Sequence, residues 1–146
     1  MILYLDTSSL VKLYLDEVSS DTVRAWCEDA DLVATTVIAY PEAMATLARR
    51  WRQGDLSREA LDELASRLGE EWSTLLTLAV DEGAAGELPL RHALRGLDAI
   101  HVAAALTLLR DATPGVEVQF SSFDRRQCDA ARAEGLVLLE PPGESA

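Results

Sequence analysis

Four carboxylates carry the chemistry open to this sequence. Asp6 follows the apolar run Ile2-Leu-Tyr-Leu5, and Asp124 comes just after Val116–Ser121; both runs suit buried strands. Glu42 lies in the first turn of a helix opened by Tyr40-Pro-Glu, and Asp98 heads a helix running through Leu109. Ligands of an open parallel sheet bind beyond the carboxyl ends of its strands. Acids from four separate segments are therefore expected on one rim. Taken singly, each has an ordinary duty as a helix cap or dipole partner. Capping does not require the four to converge, and beside Asp6 the hydroxyls of Thr7 and Ser8 already offer cap groups. Asp21, Glu59, Asp62 and Glu63, by contrast, fall on polar helix faces and read as solvated charge.

Converging carboxylates repel, and no lysine lies in these segments to neutralise them. A divalent cation is the economical answer. An all-oxygen donor set without His or Cys suits Mg²⁺, with Mn²⁺ as a substitute, rather than zinc. Such an ion, with water completing its shell, points to phosphate chemistry: it acidifies a bound water and polarises a phosphoryl oxygen. Thr7, Ser8 and Ser122 add hydroxyls that either cap helices or hydrogen-bond the ligand.

The elements that must position these groups follow from periodicity. Short apolar runs at 2–5, 32–36, 75–80, 116–121 and 136–139 alternate with amphipathic helical patterns, which implies an α/β fold: a mostly parallel sheet with helices on both faces. Helices are expected over about 9–15, 20–29, from Tyr40 to a stop at Gln53-Gly-Asp55, from a Ser57 cap through Leu68, from Asp81 to about Ala93 with a disturbance at Pro89, from Asp98 to Leu109, and over 124–133. Val37, Met44, Leu47 and Trp51 form one apolar face, and Leu61, Leu64 and Leu68 another. A helix continuing from Trp72 competes with the strand at 75–80. Residues 1–140 read as one domain and 141–146, Pro-Pro-Gly-Glu-Ser-Ala, as a loose tail.

Length and composition set the outer limits. The 146 residues suffice for one ordinary core, and 49% hydrophobic with 26% charged residues excludes intrinsic disorder. No apolar stretch approaches the roughly 20 residues of a membrane span. The start, Met-Ile-Leu-Tyr-Leu-Asp, lacks a basic leader segment, so the cytoplasm is expected and a membrane partner is not. Cys27 and Cys128 are too few for a disulfide framework and read as small side chains in or near the core. The formal net charge of −12 lacks the basic balance of a nucleic-acid binder, so a polyanion would need a bound cation and local arginines to approach. Arg125 and Arg126, directly after Asp124, are the best-placed RNA contacts; Arg91 and Arg95 could also track an RNA backbone, and the cluster at 49–52 reads more simply as a solvated face. His101, three residues after Asp98, could touch the pocket but reads first as a core or helix-bonding histidine, and His92 reads as exposed. No P-loop or G-x-G-x-x-G pattern occurs. A haloacid-dehalogenase-type phosphotransferase would need an acid at position 8, where Ser stands, and a late lysine; a receiver domain fails on the same lysine, since Lys12 is the only one.

Leu5-Asp6-Thr7-Ser8, the Glu42-Ala-Met-Ala-Thr-Leu-Ala-Arg helix, Leu97-Asp98-Ala-Ile-His-Val-Ala-Ala-Ala105 and Phe120-Ser-Ser-Phe-Asp124-Arg-Arg resemble the four blocks of a PIN domain. Order and length are similar to the toxin component of VapBC-type toxin–antitoxin pairs, from Ile2 to about Leu139. The resemblance implies the PIN-like three-layer fold and a Mg²⁺-dependent endoribonuclease. It aligns Asp6, Glu42, Asp98 and Asp124 with the family's acids, and Ser122 with a position more often Thr; on that alignment Asp6, Asp98 and Asp124 are expected to hold the metal, and Glu42 to bind a second metal or to position the attacking water. It also implies a homodimer, and a cognate VapB-type antitoxin that blocks the pocket. From another class, a PIN-like module that only binds RNA or a partner would more readily have lost one of the acids.

Overall fold

The computed structural model describes residues 1–143 and is built around five short parallel strands. These are β1 (Ile2–Leu5), β2 (Leu32–Thr36), β3 (Leu76–Leu78), β4 (Val118–Ser121) and β5 (Val137–Leu138), ordered β3-β2-β1-β4-β5. Seven α-helices join them: α1 (Thr7–Leu10), α2 (Ser20–Asp29), α3 (Ala39–Arg52), α4 (Arg58–Glu71), α5 (Glu82–Glu87), α6 (Gly96–Asp111) and α7 (Arg125–Ala133). Single 3₁₀ turns follow α1, α4 and α5. The expected α/β fold is thus the observed one. Near Trp72 the strand reading holds over the competing helix: a 3₁₀ turn over Trp72–Thr74 ends the helical segment and β3 follows. Residues 144–146 of the tail lie outside the described residues.

β1 explains why the layers form. Its residues alternate sides: Leu3 and Leu5 enter one core with Leu10, Val23, Leu47 and Leu68, while Tyr4 enters the other with Val102, Phe120 and Leu136. Both faces are apolar, so both need a helical layer. The connections through α1–α4 cover the first face as the chain moves from β1 to β3, and those through α5–α7 cover the second after it reverses to β4. Right-handed crossovers require that exchange of faces when strand order reverses. The reversal puts the switch point beside β1. Leu5 is in register with Ser121, so Asp6 and Ser122 leave the sheet side by side.

Two helices stop as the sequence reading expects. Gly54 and Gly135 take φ of +84° and +96°, and the amides that follow them return to Arg50 and Ala131 carbonyls, which closes α3 and α7. Other local expectations shift. α6 begins at Gly96, two residues before the expected start, so Asp98 lies inside the first turn and is not its N-cap. Val37 precedes α3 and is exposed, and Trp51 is half-buried with the Arg58 guanidinium over its ring; only Met44 and Leu47 of that stripe meet the core. His92 is half-buried against Glu134 rather than exposed. Cys128 is buried and Cys27 half-buried, and burial first of all pushes both thiols up to about 11, which leaves them unreactive.

Candidate active site on the carboxyl edge

Asp6 is the most deeply placed acid, 3% exposed. It caps α1 after all: Oδ1 accepts from the Ser9 amide at 2.9 Å. Thr7 and Ser8, read from sequence as the cap groups, turn instead toward other acids. Ser8 Oγ donates to Asp6 Oδ1 at 2.7 Å, and Ser122 Oγ to Asp6 Oδ2 at 2.6 Å. Both hydroxyls also accept backbone amides, from Phe123 and Asp124 respectively. This lattice staples the end of β1 to the β4–α7 loop. Burial nonetheless raises the Asp6 carboxyl above its ordinary value, outweighing the nearby His101 and the three hydrogen-bond donors. The fold therefore holds a carboxylate whose negative charge it does not fully compensate.

Asp124 caps α7 through the Gln127 amide, 3.1 Å from Oδ1. Asp98 accepts from the Gln127 side chain at 3.2 Å. Arg95 joins these two acids: its guanidinium lies 3.1 Å from Asp98 Oδ2 and 3.7 Å from Asp124 Oδ2. Glu42 completes the rim from α3. Its Oε1 accepts from Thr7 at 2.6 Å and is 2.9 Å from His101 Nε2. Burial pushes the Glu42 carboxyl up, but the bonds from His101 and Thr7 win and hold it below its ordinary value. A cavity of about 630 Å³ opens beside these groups, lined by Glu42, Asp98 and Arg95 with an apolar wall that includes Ala85, Pro89 and Ile100.

All four sequence-designated acids thus sit at strand ends or helix starts on one edge, linked through Ser122, Thr7, Arg95 and Gln127. Among the described residues no group of three or more His, Cys, Asp or Glu is placed to hold one ion in this arrangement. The donor chemistry still suits a hard cation: carboxylate oxygens, one of them buried without full compensation, and the buried Gln127 Oε1, which has no hydrogen-bond partner. Arg95 is the side chain that would give way. It is 79% exposed, and such a pair is weak. Arg125 and Arg126 are exposed and unpaired among the described residues, as an RNA contact requires.

One participant, Gln127, escaped the sequence reading, and two were read only in part. Arg95 was read only as half of an Arg91–Arg95 cluster open to an RNA backbone or to solvent, though it stands three residues before Asp98, one helical turn away. Gln127 stands three after Asp124, where a cap finds its amide, but nothing in the spacing ties its side chain to Asp98. His101 does lie in the core, 2% exposed, yet it also reaches Glu42. Its signal was a lone imidazole in the apolar run Ile100–Leu109.

The PIN domain family model matches residues 3–133. The chain belongs to the PIN domain family. Among curated relatives of this PIN domain, Ribonuclease VapC49 of Mycobacterium tuberculosis is 35% identical over 138 residues, 92% of each chain. Ribonuclease VapC46 of the same species is 31% identical over 144 residues, covering 95% of this chain and 97% of the relative. Among solved structures, the Mycobacterium tuberculosis VapC20 toxin, described as cleaving the sarcin–ricin loop, superposes with a TM-score of 0.65 at 20% identity, over 95% of this chain and 99% of that one. The FitAcB structure from Neisseria gonorrhoeae gives 0.67 at 17%, over 97% and 98%. These two likenesses establish the fold of the PIN domain, a parallel sheet between helical layers. No helix among the described residues is long and apolar enough to cross a membrane.

Proposed function

We propose that this protein is a metal-dependent endoribonuclease toxin that hydrolyses RNA phosphodiester bonds and is held inactive by a cognate VapB-type antitoxin. The observation that carries the reading is the convergence of Asp6, Glu42, Asp98 and Asp124 on one sheet edge in a chain whose relatives are named VapC ribonucleases. Asp6, Asp98 and Asp124 would hold Mg²⁺, or Mn²⁺ in its place. The ion, when bound, supplies an acidified water and stabilises charge on the scissile phosphate. Glu42, kept ionised by His101 and Thr7, accepts a proton from, and orients, the attacking water. Ser8 and Ser122 hold Asp6 in one orientation. Arg95, Arg125 and Arg126 offer the RNA backbone positive charge beside an otherwise acidic rim. Bond cleavage by attack of that water leaves 5′-phosphate and 3′-hydroxyl ends, and a homodimer is the expected assembly.

The expected result is cleavage of a mixed RNA pool in Mg²⁺ that stops in EDTA and resumes when Mg²⁺ is restored. Equal cleavage with and without chelator would overturn the metal role. RNA bound but left intact would favour the binding-only module.

A further inference from the structure

The ribonuclease reading uses His101 only to keep Glu42 ionised and assigns nothing to Tyr4 beneath it. His101 projects from α6 and is 2% exposed; Tyr4, on β1, is fully buried. The Tyr4 hydroxyl lies 2.9 Å from His101 Nδ1, and the two rings meet edge to face. On its far side, Nε2 lies 2.9 Å from Glu42 Oε1 and 3.1 Å from Thr7 Oγ1. A buried O–H needs an acceptor, and Nδ1 supplies it. That donation leaves the ring proton on Nε2, where the Glu42 carboxylate accepts it. Thr7 donates to the same oxygen, at 2.6 Å. Oε1 is thus saturated by two donors. Oε2 has no protein partner among the hydrogen bonds of the described residues, and Glu42 lines the cavity.

We propose that His101 is a positioning residue: fixed by Tyr4 in the Nε2–H tautomer, it pins Oε1 of Glu42 and leaves Oε2 as the single carboxylate oxygen offered to the reacting water. Burying an imidazole and a phenol costs free energy unless both are bonded, and here their bonds run from the central strand to the catalytic rim. Glu42 alone could rotate, since a carboxylate that opens onto a cavity without fixed partners exchanges its two oxygens freely. With Oε1 pinned, the general base keeps one lone-pair direction. Thr7, placed in sequence as a supporting hydroxyl, acts as the second pin.

The kinetic part of this proposal rests on the ribonuclease reading, so the test has a spectroscopic arm independent of activity. In protein labelled with ¹⁵N-histidine, two-bond correlation spectra should show His101 as the Nε2–H tautomer, and Tyr4→Phe should introduce the other tautomer. With a mixed-sequence fluorogenic RNA in Mg²⁺, His101→Ala should lower kcat by about 10- to 100-fold with KM within about twofold, the scale seen when an orienting partner is lost. His101→Gln, which restores a donor toward Glu42, should recover part of that loss. Tyr4→Phe keeps the ring and should lower kcat by about three- to tenfold. A kcat for His101→Ala within twofold of wild type would overturn the proposal. So would losses that are equal in the Ala and Gln variants and follow melting temperature, or an Nδ1–H tautomer in the wild type. If the wild type leaves RNA uncut, the ribonuclease reading falls, and the tautomer alone decides whether His101 holds Glu42.

Discussion

Asp6→Asn should abolish RNA cleavage while leaving the chain at least as stable as wild type. Loss of a metal-holding carboxylate removes several kcal/mol of transition-state stabilisation, on the order of 10³ in rate. The stability half follows from the raised Asp6 carboxyl, whose first cause is burial. A group protonated more readily in the folded than the unfolded state favours folding while protonated. That favour is lost as pH rises from the ordinary carboxylate value through the raised one. Above the raised value the ionised Asp6 therefore costs folding free energy, and a neutral isostere removes the cost. Asparagine also caps a helix as well as aspartate does, so the bond from the Ser9 amide survives. Melting curves in EDTA, together with cleavage rates in Mg²⁺, check both halves. Undiminished cleavage would remove Asp6 from the site, and a melting temperature lowered by many degrees would turn the lost activity into a folding defect.

The second large effect lies in the sheet that carries the site. Phe120 is fully buried and stacks on Tyr4, with ring centroids 5.5 Å apart and planes 9° from parallel, across the β1–β4 pair. Phe120→Ala should cost about 3–5 kcal/mol, since a close-packed interior only partly refills the space. Against a total of about 5–15 kcal/mol for a typical domain, this removes a large share of the stability. Urea unfolding measures it directly. A loss below about 1 kcal/mol would mean that the two strands do not depend on this aromatic pair. Cleavage should fall as well, because the strand leads straight into Ser122 and Asp124.

How much of this was legible beforehand depends on the kind of information each feature needs. β1 could be read as a continuous apolar run buried on both faces, β2 and β4 as short runs rich in β-branched or alternating apolar residues, and α4 because Ser57 and the Leu61, Leu64 and Leu68 stripe are local signals. The rim itself was legible through topology: acids placed after parallel strands must emerge on the same edge. The roles within it were not. Asp6, rather than Thr7 or Ser8, is the cap, because which of three adjacent polar groups takes the Ser9 amide depends on distant partners: Glu42 draws Thr7, and the Phe123 amide holds Ser8 against Asp6. Likewise the bonds from Tyr4 to His101 and from His101 to Glu42 span 97 and 59 residues, and no periodicity encodes such pairs. Lys12, the sole lysine, shows the same limit: it is buried between Glu17, the Val18 carbonyl and the Phe123 ring, a structural cation that composition alone could not place.

Titration of Mn²⁺ into the isolated wild-type chain, followed by heat, bears most directly on the idea that these carboxylates act through a shared cation. Saturable uptake that disappears in Asp98→Asn and Asp6→Asn is the expected result. A flat titration of the folded wild type, with no ion bound at any concentration that supports RNA cleavage, would contradict it.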